Sequence, residues 1–286
     1  MDSSRRGFLG GAIGASLMPA FAGPQGGGQG GGGAATSGDA GELKLGVASY
    51  SFREFSRKIA IAGTKKLNTP YINFKDFHLP MSASKADIEK FRKDVEKAGL
   101  TIMGGGTITF NKADEADIRS KFEYAKAAGM PLMVSAPTHE TLPMLEKYVK
   151  EYDIKVAVHN HGPEDKHFPT PQSVLAVVKN MDRRCGLCID IGHTARTGAD
   201  IVASIAEAGP RLLDMHVKDL SDPTKKDTQV PVGDGKLPIV AIFRQLKKMN
   251  YQGGVMLEYE IDDSDPLPGM IKSFAYMRGV LAGIRT

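Results

Sequence analysis

The chain has 286 residues, 41% hydrophobic and 24% charged, a composition typical of a globular protein with one large domain or two small ones. The formal net charge is only +4 and no block of lysine and arginine stands out, so we expect no nucleic-acid partner. Cys185 and Cys188 stand three residues apart in a predicted strand and should face opposite sides of it. The sequence therefore predicts neither a disulfide scaffold nor a cysteine-based structural zinc site.

The first residues resemble an export signal. Ser3-Ser-Arg-Arg-Gly-Phe-Leu9 contains the paired arginines of a twin-arginine signal, and a weakly apolar segment follows that ends in Ala20-Phe21-Ala22, a small-residue cleavage site. We interpret residues 1–22 as a twin-arginine signal peptide that is removed, and the glycine-rich residues 23–41 as a flexible linker. The mature protein is then expected in the periplasm or outside the cell, without stable membrane association after export.

Residues 42–286 repeat one theme, in which a short apolar or β-branched run is followed by a polar loop and then by a helical pattern that ends near a glycine. Eight runs predict strands, at 43–51, 71–77, 101–110, 131–136, 155–160, 186–191, 212–218 and 254–259. Seven stretches have apolar residues at helical spacing, at 84–99, 116–129, 143–152, 171–180, 199–209, 238–250 and 266–283. Ser82 or Ser84 is the expected N-cap of the first helix.

Eight strands with intervening helices in about 245 residues predict an α/β fold, a single (β/α)8 TIM barrel. The alternative is a doubly wound open sheet, which would usually place a glycine-rich phosphate loop after its first strand. This chain has Val47-Ala-Ser-Tyr-Ser-Phe-Arg-Glu-Phe55 there, so we favour the barrel. Gly104-Gly-Gly106, inside the third predicted strand, indicates a tight barrel position or a close approach of substrate.

Histidines cluster at the carboxyl ends of the predicted strands, where a (β/α)8 barrel holds its active site. None lies in a predicted helix, and all seven follow a predicted strand or lie near its end: His78, His139, His159, His161, His167, His193 and His216. In Val156-Ala-Val-His-Asn-His-Gly-Pro-Glu164, His159 and His161 stand two residues apart, so they project from one face of a strand end. We expect this pair to point into the barrel mouth.

Two carboxylates and one imidazole end three consecutive predicted strands. The sixth strand ends in Asp190, the seventh contains His216 and the last contains Glu258. Singly, these could be a helix cap, a satisfied core histidine and a carboxylate paired with a lysine. Together they would each cost several kcal/mol if buried without partners, so we predict a divalent-metal site. Such a donor set suits Mn²⁺, Zn²⁺, Fe²⁺ or Co²⁺ better than Ca²⁺.

Four motifs resemble those of the xylose-isomerase-like barrels, a family that includes sugar isomerases and epimerases, inosose dehydratases and class II AP endonucleases: His159-Asn-His-Gly162, Asp190-Ile-Gly-His193, His216-Val-Lys-Asp219 and Glu258. The resemblance covers the whole predicted barrel. It implies that Asp190, His216 and Glu258 are metal ligands and that His193 lies near the substrate or a second metal. It also implies that Lys218 is a polar partner for substrate oxygens.

One position departs from the family pattern. Many of its epimerases have a glutamate at the end of the fifth strand, in a Glu-Asn-His-Gly pattern, where this chain has His159. The family mechanism with one glutamate on each face of the reacting carbon therefore cannot be assumed. Either His159 fills the fourth metal position, with His161 or Glu258 as the base, or His159 is itself the base and Glu164 or water completes the metal shell.

Three further features bear on the substrate. The trinuclear zinc site of the nuclease branch needs an Asp-x-His pair after the seventh strand, and this chain has Asp227-Thr-Gln229 there, so we do not expect a nuclease. Segment 220–237 is long for a loop between a strand and its helix and is expected to cover the site, although a solvated insertion fits almost as well. His78, Arg196 and Tyr50 are candidate substrate contacts on position alone.

A divalent metal at a barrel mouth can polarise a carbonyl and acidify the adjacent C–H bond, whose proton an imidazole or carboxylate then takes. Because sugar phosphates are chiefly cytoplasmic, we expect an exported member to act on a small unphosphorylated carbohydrate. An isomerase or epimerase ranks first, and a lyase that eliminates the aglycone from a 3-keto-glycoside ranks second. A noncatalytic, metal-dependent sugar-binding barrel ranks third, because binding alone would not need the additional titratable side chains of His161, His193 and Lys218. The sequence is compatible with a homo-oligomer.

Overall fold

The protein is described by a computed structural model over residues 42–284. The predicted signal peptide, residues 1–22, and the predicted linker, residues 23–41, lie outside the described residues. Eight parallel strands close into one barrel with helices between them, which confirms the predicted single (β/α)8 TIM barrel. The doubly wound alternative is wrong, because the first barrel strand pairs with the last one and leaves no open sheet edge.

The barrel strands begin and end within three residues of the predicted ones. In chain order the strands are β1 Lys44–Ala48, β2 Tyr71–Phe74, β3 Thr101–Phe110, β4 Leu132–Pro137, β5 Lys155–His159, β6 Cys185–Asp190, β7 Leu212–Val217, β8 Asp219–Leu220, β9 Gln229–Val230 and β10 Gly254–Leu257. Their order around the barrel is β1-β10-β7-β6-β5-β4-β3-β2. The short strands β8 and β9 form a separate antiparallel pair, which was not predicted.

Seven of the helices correspond to predicted stretches, and α1 and α6 do not. In chain order the helices are α1 Arg57–Lys66, α2 Lys85–Lys97, α3 Glu115–Ala128, α4 Thr141–Tyr152, α5 Pro171–Val178, α6 Ile191–Arg196, α7 Ile201–Ala208, α8 Ile239–Lys248 and α9 Leu267–Gly283. The predicted cap of α2 is confirmed, since the Ser84 hydroxyl accepts a hydrogen bond from the Asp87 amide. None of the helices within residues 42–284 has the length and apolar character needed to cross a bilayer.

The alternation of side chains along the strands places the site residues. Cys188 and Ala157 belong to a small buried cluster with Leu132 and Val134, separate from the main hydrophobic core. Since side chains alternate along a strand, the residues two positions further on share the face of Ala157 and Cys188. Those residues are His159 at the end of β5 and Asp190 at the end of β6, so the strand ends bring them to the same mouth of the barrel.

Glycines in β3 lie where no side chain would fit. A Cβ added at Gly104 would lie 2.9 Å from the Leu132 carbonyl oxygen, and one at Gly106 would lie 2.1 Å from that of Val134. The backbone φ of Gly106 is +124°, a region that favours glycine. The expectation of a tight barrel position is therefore confirmed.

The two cysteines are free and fully buried on opposite sides of β6. Cys185 packs in the main core, whereas Cys188 belongs to the separate small cluster. Burial raises the pKa of the Cys185 thiol to about 12 and also raises that of Cys188. The thiolate, which is the reactive form, is therefore scarce at both positions.

We expect a thiol reagent such as dithionitrobenzoate to find no reactive thiol in the native protein at pH 8, and two thiols after denaturation. The reason is that both sulfur atoms are excluded from solvent and both thiols stay protonated. The absorbance of released thionitrobenzoate measures the number of reacted thiols. Rapid reaction of the native protein would contradict the buried placement of β6.

The segment that follows β7 is closed by one carboxylate. Asp219 is 1% exposed, and its Oδ1 accepts hydrogen bonds from the amides of Leu220 and Leu237 at 2.9 and 3.0 Å. Its Oδ2 accepts from the amides of Gly233 and Gly235 at 3.0 and 3.2 Å. Both ends of the segment therefore bind the same side chain, and the long loop is folded against the barrel.

We expect Asp219→Ala to lower the free energy of unfolding by about 3 kcal/mol, because four amides lose a charged acceptor. Chemical denaturation measures the loss, and limited proteolysis should locate new cleavage within 221–236. Asp234→Ala is the matched control, since this carboxylate on the same segment is exposed and pairs only with Lys272 among the contacts described. Equal stability of the two variants would contradict the role of Asp219.

Candidate metal centre

Four buried side chains at the barrel mouth bring one donor atom each to a common point. They come from β5, β6, β7 and the residue after β10, and they are His159, Asp190, His216 and Glu258. His159 Nε2 lies 3.0 Å from His216 Nδ1 and 3.5 Å from Asp190 Oδ2. His216 Nδ1 lies 3.2 Å from Glu258 Oε2. The structure thus brings together all four residues that the sequence proposed as metal ligands.

These distances suit a first-row divalent ion. Ligands at about 2.0 to 2.2 Å from a metal lie roughly 3.0 to 3.5 Å from one another in tetrahedral or octahedral sites. Asp190 Oδ2 is fully buried and accepts no hydrogen bond within the described part of the chain. The cation beside it, the Lys218 ammonium at 3.1 Å, is shared with two other carboxylates, so this oxygen can take a further cation as partner. The residues therefore fit a divalent metal.

The protonation states of two ligands also fit. Burial lowers the pKa of His159 well below its usual range, and the neighbouring His161 lowers it further, so His159 is neutral as a metal ligand must be. Burial opposes ionisation of Asp190, but the Lys218 ammonium together with the neighbouring His193 and His159 outweighs it, and the pKa of this carboxyl lies well below its usual range. The position and the neutral state of His159 are those that a ligand needs, which is one of the two roles that the sequence left open.

Asp190 also serves as a helix cap. Its Oδ1 accepts a hydrogen bond of 2.8 Å from the His193 amide at the start of α6, while its Oδ2 belongs to the ligand group. Asn160 supports it from behind, because its side-chain oxygen accepts from the Asp190 amide at 3.1 Å. The cap and the ligand are thus two oxygens of one carboxylate, and the short helix α6 fixes its orientation.

A buried ammonium lies beside the ligand group. Lys218 is 3% exposed, and its Nζ lies 3.1 Å from Asp190 Oδ2, 2.9 Å from Glu258 Oε2 and 3.1 Å from Glu260 Oε2. Three carboxylates against one ammonium leave a surplus of negative charge. Burial disfavours a charged His216, but the carboxylates of Glu258, Asp214 and Asp190 together outweigh burial and raise the pKa of His216. A divalent cation would balance this surplus.

Two adjoining cavities open at this end of the barrel. The metal cavity, of about 310 Å³, reaches the ligand group through His159 and Glu258 and is also lined by His161, His193, Tyr50 and Glu260. The loop cavity, of about 360 Å³, lies under segment 220–237 and is lined by Lys218, Arg196, Lys225, Lys226, Gln229 and Ile261, among others. His193 and Glu260 line both cavities. Segment 220–237 therefore borders the site, as expected.

His161 lies beside His159 and opens onto the metal cavity. The two ring centroids are 4.2 Å apart, and the side chain of His161 is 36% exposed. Its Nδ1 lies 3.3 Å from Asp165 Oδ2 on the loop that follows β5. A carboxylate beside one imidazole nitrogen orients the ring and favours the tautomer whose other nitrogen accepts a proton. The sequence analysis did not single out Asp165.

His78 has a structural place in the fold, which corrects the expectation that it contacts substrate. It is 2% exposed, and its Nδ1 lies 2.8 Å from the Ser49 hydroxyl. Its Nε2 lies 3.1 and 3.2 Å from the carbonyl oxygens of Phe52 and Phe55. Burial lowers the pKa of His78. Both ring nitrogens are thus occupied in holding the turn after β1, and His78 lines neither cavity.

Two further candidate substrate contacts, Tyr50 and Arg196, line different cavities. Tyr50 lines the metal cavity, with the Arg53 guanidinium 5.1 Å from its ring centroid. Arg196 lines the loop cavity and forms an ion pair with Glu164. Glu164 therefore lies outside the ligand group and does not complete a metal shell in this arrangement.

Glu260 is a functional candidate that the sequence analysis missed. It stands two residues after Glu258, and both line the metal cavity. Burial and the neighbouring Glu258 carboxylate raise the pKa of Glu260. The pattern Glu258-Tyr-Glu260 could have revealed it, because residues two apart on an extended segment share a face. His193, by contrast, was placed correctly near the site but lies in the unpredicted helix α6.

Residues 64–280 match the model of the xylose isomerase-like TIM barrel family. The chain belongs to this family. Solved structures agree on the fold: the IolI protein with a bound zinc atom superposes with a TM-score of 0.71 at 17% identity, covering 84% of this chain and 99% of that one. D-Psicose 3-epimerase from Clostridium cellulolyticum H10 gives a TM-score of 0.69 at 16% identity, covering 84% and 99%. At these identities the likeness supports the fold alone.

Curated relatives include inosose dehydratases and a putative L-ribulose-5-phosphate 3-epimerase of Escherichia coli. The inosose dehydratase of Mesomycoplasma hyopneumoniae is 25% identical over 155 residues, which are 48% of this chain and 51% of that protein. The chain spans about half the length of the curated relatives it matches. These names therefore point to an enzyme of this fold family.

We expect Asp190→Asn and His216→Gln to lose metal, with affinity reduced at least about 100-fold, because each removes a direct ligand, whereas loss of an outer partner typically costs 10- to 100-fold. Metal content after dialysis against a weak chelator measures the effect. His139→Gln is the matched control, since His139 is at the same end of the barrel but outside the ligand group. Unchanged metal content in both ligand variants would contradict the site.

Proposed function

We propose that the protein is a divalent-metal-dependent enzyme that removes a proton next to the carbonyl of an unphosphorylated carbohydrate, acting as an isomerase or epimerase. The observation that carries the proposal is the group of four buried donors at the mouth of the barrel, set beside a cavity that further titratable side chains line. The name of several curated relatives, inosose dehydratase, supports a carbohydrate substrate. We propose a periplasmic or secreted location on the N-terminal motif alone.

The roles of the side chains follow from their positions. His159, Asp190, His216 and Glu258 would hold a divalent ion, of Mn, Zn, Co or Fe, which when bound polarises a carbonyl oxygen and acidifies the adjacent C–H bond. His161 is the proposed base, because it opens onto the metal cavity and has Asp165 beside its other nitrogen.

Two further side chains would bind and orient the substrate. The Lys218 ammonium lines the loop cavity, and its charge would attract substrate oxygens while its three carboxylate partners stay in place. His193 lines both cavities and is 5.8 Å from His161 between ring centroids, so a sugar bound over the ligand group would lie against it. These contacts would hold the reacting carbon close to the base.

A second candidate function is elimination of the aglycone from a 3-keto-glycoside. The observation that favours it is His159 in a ligand position where family epimerases have a glutamate. The end of β5 then has no carboxylate opposite Glu258. Epimerisation needs a donor that returns the proton to the other face of the carbon, and this carboxylate would be the usual donor. Several matched relatives are dehydratases, which also eliminate a group. Both reactions begin with the same proton abstraction.

The test follows the metal-loaded protein with free ketoses and with a 3-keto-glucoside in D₂O by NMR. Deuterium incorporation with formation of a new epimer or isomer is expected for the first candidate, and release of the aglycone for the second. His161→Gln should lower the exchange rate at least about 100-fold, since a general base contributes 10²- to 10⁴-fold, while metal content stays unchanged.

The matched control is His139→Gln, which should keep the full exchange rate because His139 lies outside the metal cavity. His159→Glu separates the candidates, because restored epimerisation would show that His159 diverts the reaction from proton return. A metal-loaded protein that exchanges no proton and releases no aglycone across the panel would contradict the proposed catalysis and favour a binding role.

A further inference from the structure

The two cavities meet at His193 and Glu260, which line both. We infer that the substrate is a two-unit carbohydrate, a glycoside with one sugar unit in the metal cavity and a second, neutral, hydroxyl-bearing unit in the loop cavity. This inference rests on the proposed function and narrows its substrate class. The bond that joins the two units lies beside His193 and Glu260.

The volumes support two units. The metal cavity and the loop cavity measure about 310 and 360 Å³, each at the lower end of the roughly 300 to 1,000 Å³ of pockets that bind small molecules. Each therefore suits one sugar ring. A free monosaccharide held over the ligand group would leave the loop cavity filled only with solvent, and the burial that this cavity offers would go unused.

The lining of the loop cavity supports a hydroxyl-bearing unit. Gln229, Lys225 and Lys226 bring polar groups to it, and Leu220 and Ile261 bring apolar surface that can cover the C–H face of a ring. Such a mixture of a few polar groups and apolar surface matches a sugar better than it matches a wholly apolar group.

Arg196 adds an independent indication. Its side chain is 7% exposed and lines the loop cavity, and both of its terminal nitrogens bind Glu164. Its Nε is buried and has no hydrogen-bond partner within residues 42–284. An unpaired buried N–H is costly, so a neutral acceptor such as a hydroxyl oxygen would be stabilised there.

The charges around the loop cavity favour a neutral second unit over a phosphate. Arg196 pairs with Glu164, Lys225 Nζ lies 3.0 Å from Asp222, and Lys226 Nζ lies 3.8 Å from Glu164. Lys218 is matched by three carboxylates. Arg196 and Lys226 share the Glu164 carboxylate, but Asp227 also lines the cavity, so little positive charge is left to bind a dianion.

The test compares D-fructose with three of its derivatives, lactulose, turanose and fructose 6-phosphate, as ligands of the metal-loaded full chain. Dissociation constants come from calorimetry, and saturation-transfer NMR reports which ring protons contact the protein. We expect at least one of the two disaccharides to bind about 10-fold or more tighter than D-fructose, with saturation transferred to both of its rings.

Variants of the loop cavity locate the second ring. Ile261→Trp fills the cavity, and Lys225→Ala with Lys226→Ala removes two donors from an exposed loop without risk to the core. Both should weaken binding of the disaccharide about 3- to 10-fold, which for the lysine variant is the effect of one or two lost hydrogen bonds. The dissociation constant of D-fructose should stay unchanged. Lys236→Ala is the matched control, since this exposed lysine on the same segment lines neither cavity.

The outcomes separate the two proposals. The inference of a two-unit substrate is wrong if D-fructose binds as tightly as both disaccharides, or if the loop variants leave the dissociation constant of the disaccharide unchanged. In either case the proposed function stands. Tighter binding of fructose 6-phosphate than of either disaccharide would overturn the neutral second unit. If no sugar of the panel binds the metal-loaded protein, both the proposed function and the inference drawn from it are wrong.

Discussion

The mouth of this barrel depends on the charge balance around one buried ammonium. Lys218 lies within 3.1 Å of three carboxylate oxygens, and two of these, on Asp190 and Glu258, are also donors of the candidate metal centre. Such charges would be too costly to bury singly, and they are stable only as a group. The same group links β6, β7 and the end of β10, so the electrostatics of the site and the closure of the barrel at this end support one another.

Much of this arrangement could be predicted from the sequence, because the strand ends of a (β/α)8 barrel converge whatever the details of its loops. Periodicity gave the strands to within three residues, and two-residue alternation placed His159 and Asp190 at the mouth. Helix α1, Arg57–Lys66, was missed because its buried face consists of Ala60, Ile61, Gly63 and Thr64, which include only one large apolar side chain. Helix α6 was missed because six residues scarcely exceed one turn and a half.

The residues that were predicted poorly lie in loops, where a side chain's direction depends on distant parts of the chain. His78 follows β2 just as His161 follows β5, yet the turn after β1 supplies the carbonyls that bind the ring of His78 and hold it away from both cavities. Asp165 and Glu260 meet their partners, His161 and Lys218, only once the barrel has closed or the loop has folded. Periodicity carries no information about such encounters, whereas the ligands themselves end regular strands and were therefore visible in the sequence.

Asp219 joins the first and last amides of segment 220–237 through one carboxylate, so the segment begins and ends at nearly the same point of the barrel. A loop closed in this way can gain or lose residues at its tip at little entropic cost, because the cost of closure grows only slowly with length. At its base, Asp219 directly follows Lys218, the first residue after β7. Descendants of such a sequence can therefore change the length and chemistry of the wall that faces the loop cavity without disturbing the ligand group, which makes this segment the part of the fold where new specificities can arise most easily.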